Sequence, residues 1–485
     1  MSLITLLVAS MAVVSVETKE CADNSTFLSP SLKIVGHTHL VRGKVENEDY
    51  VFERLKKWAE DFGVDACGIG SPWSEKNRRA TYYNEREFRD QYFAGRKDGA
   101  QVFDPAEVEA MIDRANRESG GKTLYYVDNE TPKSYYGHLW HVGFKITVPN
   151  WHDYNQDRAV WYSPLDDETA EINQVTKKPH RRRTYREVVA EQRKAGALCI
   201  WAHPTSWWTK DGKQDGPFVT NIAAEMLPEL LIDGYLDGMT VQGYDAFHRD
   251  YQGLWFALLD RGYRVPGYSE TDLSIVHNIT SADCGFFNCL QRTGEKFNLD
   301  WIKREFKAAR HTMSNGIELF MMVNGALQGS ELKVEGCADY EVEVKVFPAK
   351  GEKKVSRVEL LGRGGIVLGS VCDFKGGTVK WRVRDEKGDG GYLLARAFGE
   401  NDGDYLYKAQ QRIKYCAITN PVWIRSPRFQ APKPIVPRMD HMANPKVREL
   451  MDYIAKGHFR KDFKGCVPGV VPVEAWRIDE MIDAL

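Results

Sequence analysis

The sequence predicts an α/β fold followed by a β-sandwich and a short helical tail. Up to about residue 318, apolar strand-like runs alternate with amphipathic helical stretches such as "DYVFERLKKWAEDFG" and "DPAEVEAMIDRANRES", the rhythm of parallel β/α units. Beyond that point, short alternating strands are separated by turns rich in glycine and lysine, as in "GTVKWRVRDEKGDGGYLLARAFGE". The chain ends in a proline-rich segment, "SPRFQAPKPIVPRM", and two short helical patterns.

These changes of pattern divide the chain into four segments. Residues 1–29 form an N-terminal segment, 30–317 the α/β domain, 318–425 the β-sandwich and 426–485 the tail. A length of 485 residues exceeds what one hydrophobic core usually holds, so roughly two to three domains are expected.

The N-terminal segment is the only stretch that resembles a targeting sequence. It begins "MSLITLLVASMAVVSVETKEC", with an apolar core of about a dozen residues, which is typical of a signal peptide and too short to span a bilayer. No lysine or arginine precedes this core, so a buried strand or a misassigned start is the alternative. We therefore expect a secreted or periplasmic protein without a stable membrane span, and otherwise a cytoplasmic one.

Charge and cysteine content narrow the classes of partner. The 66 basic and 68 acidic residues leave a formal net charge of -2, which gives no electrostatic reason to expect nucleic acid as a partner. Nine cysteines are scattered without CxxC spacing, which argues against a disulfide scaffold and against a zinc ribbon. The expected partner is a small-molecule or carbohydrate-derived substrate.

Potential metal ligands occur where apolar strand-like runs end, in "SLKIVGHTHL", "TLYYVDNE", "GALCIWAHP" and "YRVPGYSETD". The candidate ligands are His37, His39, Glu130, His138, His203 and Asp272. Because the carboxyl ends of parallel strands meet at one edge of a sheet, these side chains are expected to converge there. Imidazole and carboxylate ligands without thiolate suit Zn, Mn or Fe in a hydrolytic site better than a structural zinc.

Two of these positions have a local rationale. In the His37-x-His39 pair both side chains lie on the same face of an extended segment, because the strand period is two, so both imidazoles can reach one ion. His203 lies in a His-Pro turn directly after a buried strand, which points its ring at the sheet edge. His141 competes with His138, which lies three residues earlier.

The order of these motifs resembles the PHP (polymerase and histidinol phosphatase) superfamily of metal-dependent hydrolases, in particular its carbaryl-hydrolase-like branch. The order is His-x-His, Glu, Gly-His, Ala-His-Pro and Thr-Asp, and the segments "LWFALLDRGYRVPGYSETD" and "AARHTMSNGIELFMMVNG" also resemble that branch. The resemblance covers roughly residues 30 to 425. It implies a PHP-like distorted (β/α) barrel and hydrolysis of an ester-type bond in a phosphoester, carboxylester or carbamate.

The sequence departs from the family pattern at two places. "VDACGIGSPW" stands where the family commonly has Asp-His, and Asp272 is followed by Leu273 and Ser274 instead of completing Asp-x-His. Both departures fall on the ligands of a third metal, so the resemblance implies one or two divalent ions. It assigns His37, His39 and Asp272 to the first ion, His138 and His203 to the second, and Glu130 as the bridge.

The predicted mechanism uses a metal-activated water, with Glu130 and Asp272 fixing the metal. A proton donor for the leaving group is also needed, and Glu270, His141 and His277 are candidates. Arg310 matches the family's arginine at the domain joint. It either holds an anionic group of the substrate or caps a helix.

Aromatic residues crowd the expected rim of the site. Trp140, Trp207 and Trp208 are predicted to contact substrate, because flat aromatic faces stack on rings and on apolar sugar faces. The alternative for about half of the rim aromatics is burial in the core, as their size alone predicts. The alternative function is a glycan-binding protein, non-catalytic or acting on glycosidic bonds, that retains the metal site.

Overall fold

The structure of the protein is a computed structural model. It describes residues 11–20, 31–39, 48–70, 105–130, 139–144, 171–172, 179–180, 190, 192–202, 206–210, 213–218, 236–243, 249–260, 262–271, 273–274, 285–404 and 412–429. The predicted helical tail from residue 430 onward therefore lies outside the described residues.

Strands dominate the described part of the chain. The first sixteen are β1 Met11–Glu20, β2 Ser31–Val35, β3 Thr38–His39, β4 Ala66–Ile69, β5 Leu124–Glu130, β6 Leu139–Val142, β7 Glu171–Ile172, β8 Pro179–His180, β9 Leu198–Trp201, β10 Ser206–Lys210, β11 Lys213–Phe218, β12 Gly238–Gln242, β13 Gly267–Ser269, β14 Leu273–Ser274, β15 Phe287–Gln291 and β16 Thr312–Ser314. The remaining strands are β17 Glu318–Val323, β18 Ala326–Leu327, β19 Glu331–Lys333, β20 Ala338–Phe347, β21 Val355–Gly362, β22 Ile366–Phe374, β23 Gly377–Asp385, β24 Gly391–Asp404, β25 Arg412–Thr419 and β26 Val422–Arg425.

The helices are amphipathic and cover the first half of the sheet. They are α1 Glu48–Phe62, α2 Pro105–Glu118, α3 Arg249–Asp260 and α4 Leu299–Lys307, with a short 3-10 turn at Arg363–Gly365. In α1 the buried residues Val51, Phe52, Leu55 and Trp58 recur at helical spacing and form one apolar face. The helix ends at Phe62 and is followed by Gly63, whose φ of 59° is the left-handed conformation that glycine adopts without strain.

The largest sheet runs in the order β13-β12-β9-β6-β5-β4-β2-β15-β16-β25-β24-β21-β22. Strands β2, β4 and β5 are parallel to one another, and so are β9, β12 and β13. Strand β6 lies antiparallel between β5 and β9, so β5 and β9 point the same way. The six strands β2, β4, β5, β9, β12 and β13 therefore all run in one direction. Their carboxyl ends therefore lie on one side of the sheet, which we call the carboxyl edge and define by residues 36–39, 70, 130, 202, 242–243 and 270–271.

The predicted α/β barrel is wrong. The described residues are mostly strand, they form large sheets, and none of these sheets closes into a barrel. Closure would require β13 to pair with β2, but the second edge of β2 is taken by antiparallel β15. Strand β15 in turn pairs with β16, and β16 with β25, so the ladder continues into the C-terminal strands instead of returning on itself.

The C-terminal strands form two sheets packed face to face, which we call the two-sheet unit (β17–β26 together with β1). One sheet has the order β1-β23-β20-β17-β18 and the other is the far end of the large sheet. Leu319, Val344 and Trp381 of the first sheet pack against Leu360 and Ala395 of the second in one apolar cluster. This burial is the main source of stability for the unit.

The N-terminal segment contributes a strand to this unit. Residues 11–20 form β1, which pairs antiparallel with β23, with Val16 opposite Trp381. Part of the stretch that is typical of a signal peptide is thus an edge strand in this structure. No helix in the described part of the chain is long and apolar enough to cross a lipid bilayer.

Candidate functional site

The carboxyl edge gathers polar residues from strands that are far apart in sequence. His37 follows β2, Glu130 ends β5, Gln242 ends β12 and Glu270 follows β13. An edge formed by the carboxyl ends of parallel strands is where α/β sheets place their ligand sites. The sequence reasoning placed its candidates at strand ends, and these strand ends lie on one side of the sheet.

The centre of the candidate site is an imidazole–carboxylate pair. His37 Nδ1 lies 2.6 Å from Glu270 Oε2, and neither side chain has any exposed surface. The two residues are 233 positions apart in sequence, so only the fold brings them together. A hydrogen bond to an ionised carboxylate fixes both the tautomer and the orientation of an imidazole ring.

His37 has a strained backbone that its neighbours hold in place. Its φ of 53° is uncommon for a residue other than glycine. Its N–H donates to Asp128 Oδ2 over 2.9 Å, and Asp128 is itself fully buried. A Cβ on Gly68 would lie 2.2 Å from that carboxylate, so the close approach requires glycine there. Strained residues of this kind concentrate at functional sites.

The segment after β13 runs alongside the His37-x-His39 segment. Thr271 donates from its N–H to Gly36 O over 3.4 Å and from its hydroxyl to His37 O over 3.1 Å. Two residues further on, β14 pairs in parallel with β3, with Leu273 opposite Thr38. Asp272 lies outside the described residues, but both residues that flank it contact the segment from Gly36 to His39.

The six predicted metal ligands are described to different extents. The backbone of His39 lies in β3, and the backbone of Glu130 lies at the end of β5, opposite Trp140 of β6. His138, His203 and Asp272 lie outside the described residues, as does His277. The described residues contain no group of three or more metal-binding side chains. The complete ligand set therefore stays a prediction.

Trp140 lies in the core and not on an open rim. It has no exposed surface, its ring stacks on His37 at 6.2 Å between centroids, and it meets the edge of Tyr268. A Cβ on Gly36 would lie 2.1 Å from the indole, so Trp140 forms the floor below His37. For Trp207 and Trp208 the structure describes only the backbone, in β10 paired with β11.

Arg310 lies away from the His37–Glu270 pair. It directly precedes His311, whose ring contacts Gly267 O at the start of β13, and so it lies toward the amino ends of the parallel strands. Its guanidinium is about half exposed and lies 3.6 Å from Glu305 Oε2, near the end of α4. The helix-capping alternative for Arg310 agrees with this position better than a substrate contact does.

His141 is an unsuitable proton donor. Its ring is completely buried in β6 beside Phe144, and neither ring nitrogen makes a hydrogen bond to a described residue. Burial lowers the pKa of His141 to about 3, so the ring is neutral at pH 7. His141 and Trp140 are consecutive strand residues and face opposite sides of the sheet.

Sequence reasoning missed Asp128, Gln242 and Asn288, which all lie buried near the pair. Asp128 had a readable signal, because it lies in the same strand-like run, two residues before the candidate Glu130. Gln242 accepts the Glu270 N–H at its backbone oxygen over 3.0 Å, a role that no pattern reveals.

His37 and the two carboxylates near it are of side-chain types that bind divalent cations, and the described residues bring no third such ligand together with them into a metal-binding group. Two buried carboxylates, Asp128 and Glu270, lie within hydrogen-bond distance of atoms of His37. Imidazole nitrogen and carboxylate oxygen are donors that Zn, Mn and Fe accept.

Comparison with known proteins finds no matching family model, no matching curated protein and no matching solved structure. The resemblance to the PHP superfamily therefore depends on the sequence motifs alone.

Proposed function

We propose that this chain is a metal-dependent hydrolase that acts on an ester-type bond at the carboxyl edge. The observation that carries the proposal is the buried His37–Glu270 pair, at the point where the segment after β13 runs beside the His37-x-His39 segment. The sequence motifs add His39, Glu130, His138, His203 and Asp272 as the other metal ligands. The class of ester comes from the PHP resemblance.

His37 would ligate the metal through Nε2, because Nδ1 is engaged by Glu270. An imidazole that donates its other nitrogen to a carboxylate is the usual arrangement behind a metal ligand, and it makes the ligand more basic. Glu270 thus orients His37 and is poorly placed to donate a proton to a leaving group. Asp128 holds the backbone of the same residue.

A bound divalent ion would supply the nucleophile, since it lowers the pKa of water from about 15.7 to about 7. The protein residues supply orientation and exclusion of solvent. His37, Trp140, Glu270 and Thr271 are all buried, so the floor of the site is dry and its hydrogen bonds are strong.

The test combines elemental analysis with an ester panel on the full-length protein. Wild type should carry about one or two equivalents of transition metal and hydrolyse at least one aryl phosphate, carboxylester or carbamate. His37→Ala should lose most of the metal, and Glu270→Gln, which keeps the shape of the side chain, should weaken metal affinity by about 10–100-fold.

The matched control is His141→Leu, which removes another buried histidine of the same sheet, on the opposite face from Trp140. Its metal content should equal that of wild type. A metal-free wild type with full activity would contradict the proposal. So would a loss of metal in His141→Leu as large as that in His37→Ala.

A further inference from the structure

Strand β13, which Glu270 directly follows, has one edge with no strand beside it in the described structure. Toward β12, Pro266 O accepts from Met239 N over 3.0 Å and Glu270 N donates to Gln242 O over 3.0 Å. Because backbone groups alternate in direction along a strand, Gly267 and Ser269 point away from β12. Those two residues form the outer edge of β13.

Two asparagine side chains occupy that outer edge. Asn420 Oδ1 accepts from Gly267 N over 2.7 Å, and its Nδ2 donates to Gly267 O over 3.1 Å. Asn288 repeats the pattern on Ser269, with 2.8 Å for each of its two bonds. Each carboxamide thus takes the place of a peptide group in a neighbouring strand, and both asparagines are fully buried.

The asparagines come from elements that are anchored elsewhere. Asn288 lies on β15, where its backbone is paired with Ile34 of β2, the strand that leads to His37. Asn420 follows β25 of the two-sheet unit, and its Nδ2 also contacts His311 O over 3.0 Å. The two carboxamides therefore tie the outer edge of β13 both to β15, which pairs with β2, and to the two-sheet unit.

The fit at Gly267 leaves no room for adjustment. A Cβ there would lie 2.8 Å from Val241, 2.9 Å from Trp255 and 3.0 Å from Met313. The adjacent Tyr268 ring stacks on His311 at 4.4 Å between centroids. Hydrogen bonds fix the backbone of β13, and close packing fixes its residues on both faces of the sheet. The position of Glu270, which follows β13, is therefore fixed as well.

We propose that Asn288 and Asn420 are positioning residues, which set the register of β13 and so place Glu270 against His37. The part of this inference that concerns metal rests on the proposed function. The part that concerns the His37–Glu270 hydrogen bond does not, because that bond is a property of the folded chain.

The experiment uses full-length protein labelled with ¹⁵N-histidine, with the His37 signal assigned by its loss in H37Q. Asn288→Asp and Asn420→Asp keep the side-chain shape and the acceptor but remove the donor to the strand carbonyl. In both variants the ¹⁵N shift of His37 Nδ1 should move, and the Kd for zinc should rise about tenfold.

Two control variants separate positioning from loss of stability. Asn324→Asp makes the same substitution at an exposed site, where the side-chain Oδ1 accepts from Glu341 N and the aspartate can still do so, and the His37 signal should not move. Thr419→Ala removes the acceptor of the buried Ala395 N–H next to Asn420, so it should lower Tm without moving the His37 signal. If the Asp variants do not fold, Asn288→Ser and Asn420→Ser provide a neutral substitute too short to bridge both backbone groups.

An unmoved His37 signal in folded variants of either asparagine would overturn the inference, as would an equal movement in Thr419→Ala. A wild type that binds no zinc would instead overturn the proposed function. In that case the ¹⁵N measurement still decides the role of the asparagines.

Discussion

The two-sheet unit and the carboxyl edge use buried polar groups in different ways. In the two-sheet unit the interior is apolar, and the buried carboxylate of Asp385 accepts from Gly388 N and Gly390 N, which closes a turn. At the carboxyl edge, buried carboxylates instead lie around His37, which has a strained backbone. The first arrangement serves stability, whereas the second costs stability and is typical of a functional site.

The two-sheet unit also has paired charges at its surface. Asp339 of the two-sheet unit binds Arg382 and Arg384 at the surface, and these guanidinium groups lower its pKa well below the usual range. Exposed pairs of this kind contribute little to folding. The difference teaches that the two-sheet unit depends on apolar packing, while the carboxyl edge depends on precise polar contacts.

The largest expected effect is in the apolar core of the two-sheet unit. Trp381→Ala removes a buried indole of β23 from the apolar cluster of this unit, and it should lower the free energy of unfolding by about 3–5 kcal/mol. Urea denaturation measures this change. The control Val367→Ala, at an exposed position of the same unit, should have almost no effect. A small loss in Trp381→Ala would show that apolar packing is not what holds this unit together.

A smaller effect is expected at the carboxyl edge. Gly36→Ala would place a Cβ 2.1 Å from the Trp140 ring, so the indole or the backbone of His37 must move, at about 1–3 kcal/mol. Gly336→Ala is the control, because nothing lies within 4 Å of a Cβ there. Urea unfolding gives the stability, and tryptophan fluorescence reports the movement of Trp140. Equal behaviour of the two variants would remove the evidence for close packing under His37.

The smallest effect is a difference in pH dependence. Burial lowers the pKa of His141 to about 3, below its unfolded value of about 6.5. The unfolded chain therefore binds a proton first as the pH falls, and stability present above pH 6.5 is lost between about pH 6.5 and 3. His141→Leu should remove about 1.4 kcal/mol per pH unit of this loss. Urea unfolding at pH 7.5 and 5.5 measures the slopes, and identical slopes would contradict burial of a neutral ring.

Several elements could be read from the sequence. The amphipathic periods of α1 and α2 match the helices at Glu48–Phe62 and Pro105–Glu118. The placement of His37 after an apolar strand follows from the local run "SLKIVG" alone, since a buried strand must end where polar residues and glycine begin. Local periodicity carries this information because each element must bury one face.

The partners of these elements could not be read in the same way. The antiparallel pairing of β15 with β2 prevents closure of a barrel, and no residue pattern in either strand predicts this pairing. The sequence alone allowed Trp140 either on a rim or in a core, and its complete burial and close approach to Gly36 decide for the core. The pairing of β1 with β23 joins segments more than 350 residues apart.

The sequence by itself determined the helical periods, the strand ends and the kinds of side chain available there. The tertiary structure alone decided that Glu270 meets His37, and that Asn288 and Asn420 serve as the outer partners of β13. The physical reason is that periodicity records which face of an element is buried. The hydrogen-bond partner of a buried polar group depends on which distant strand folding brings beside it.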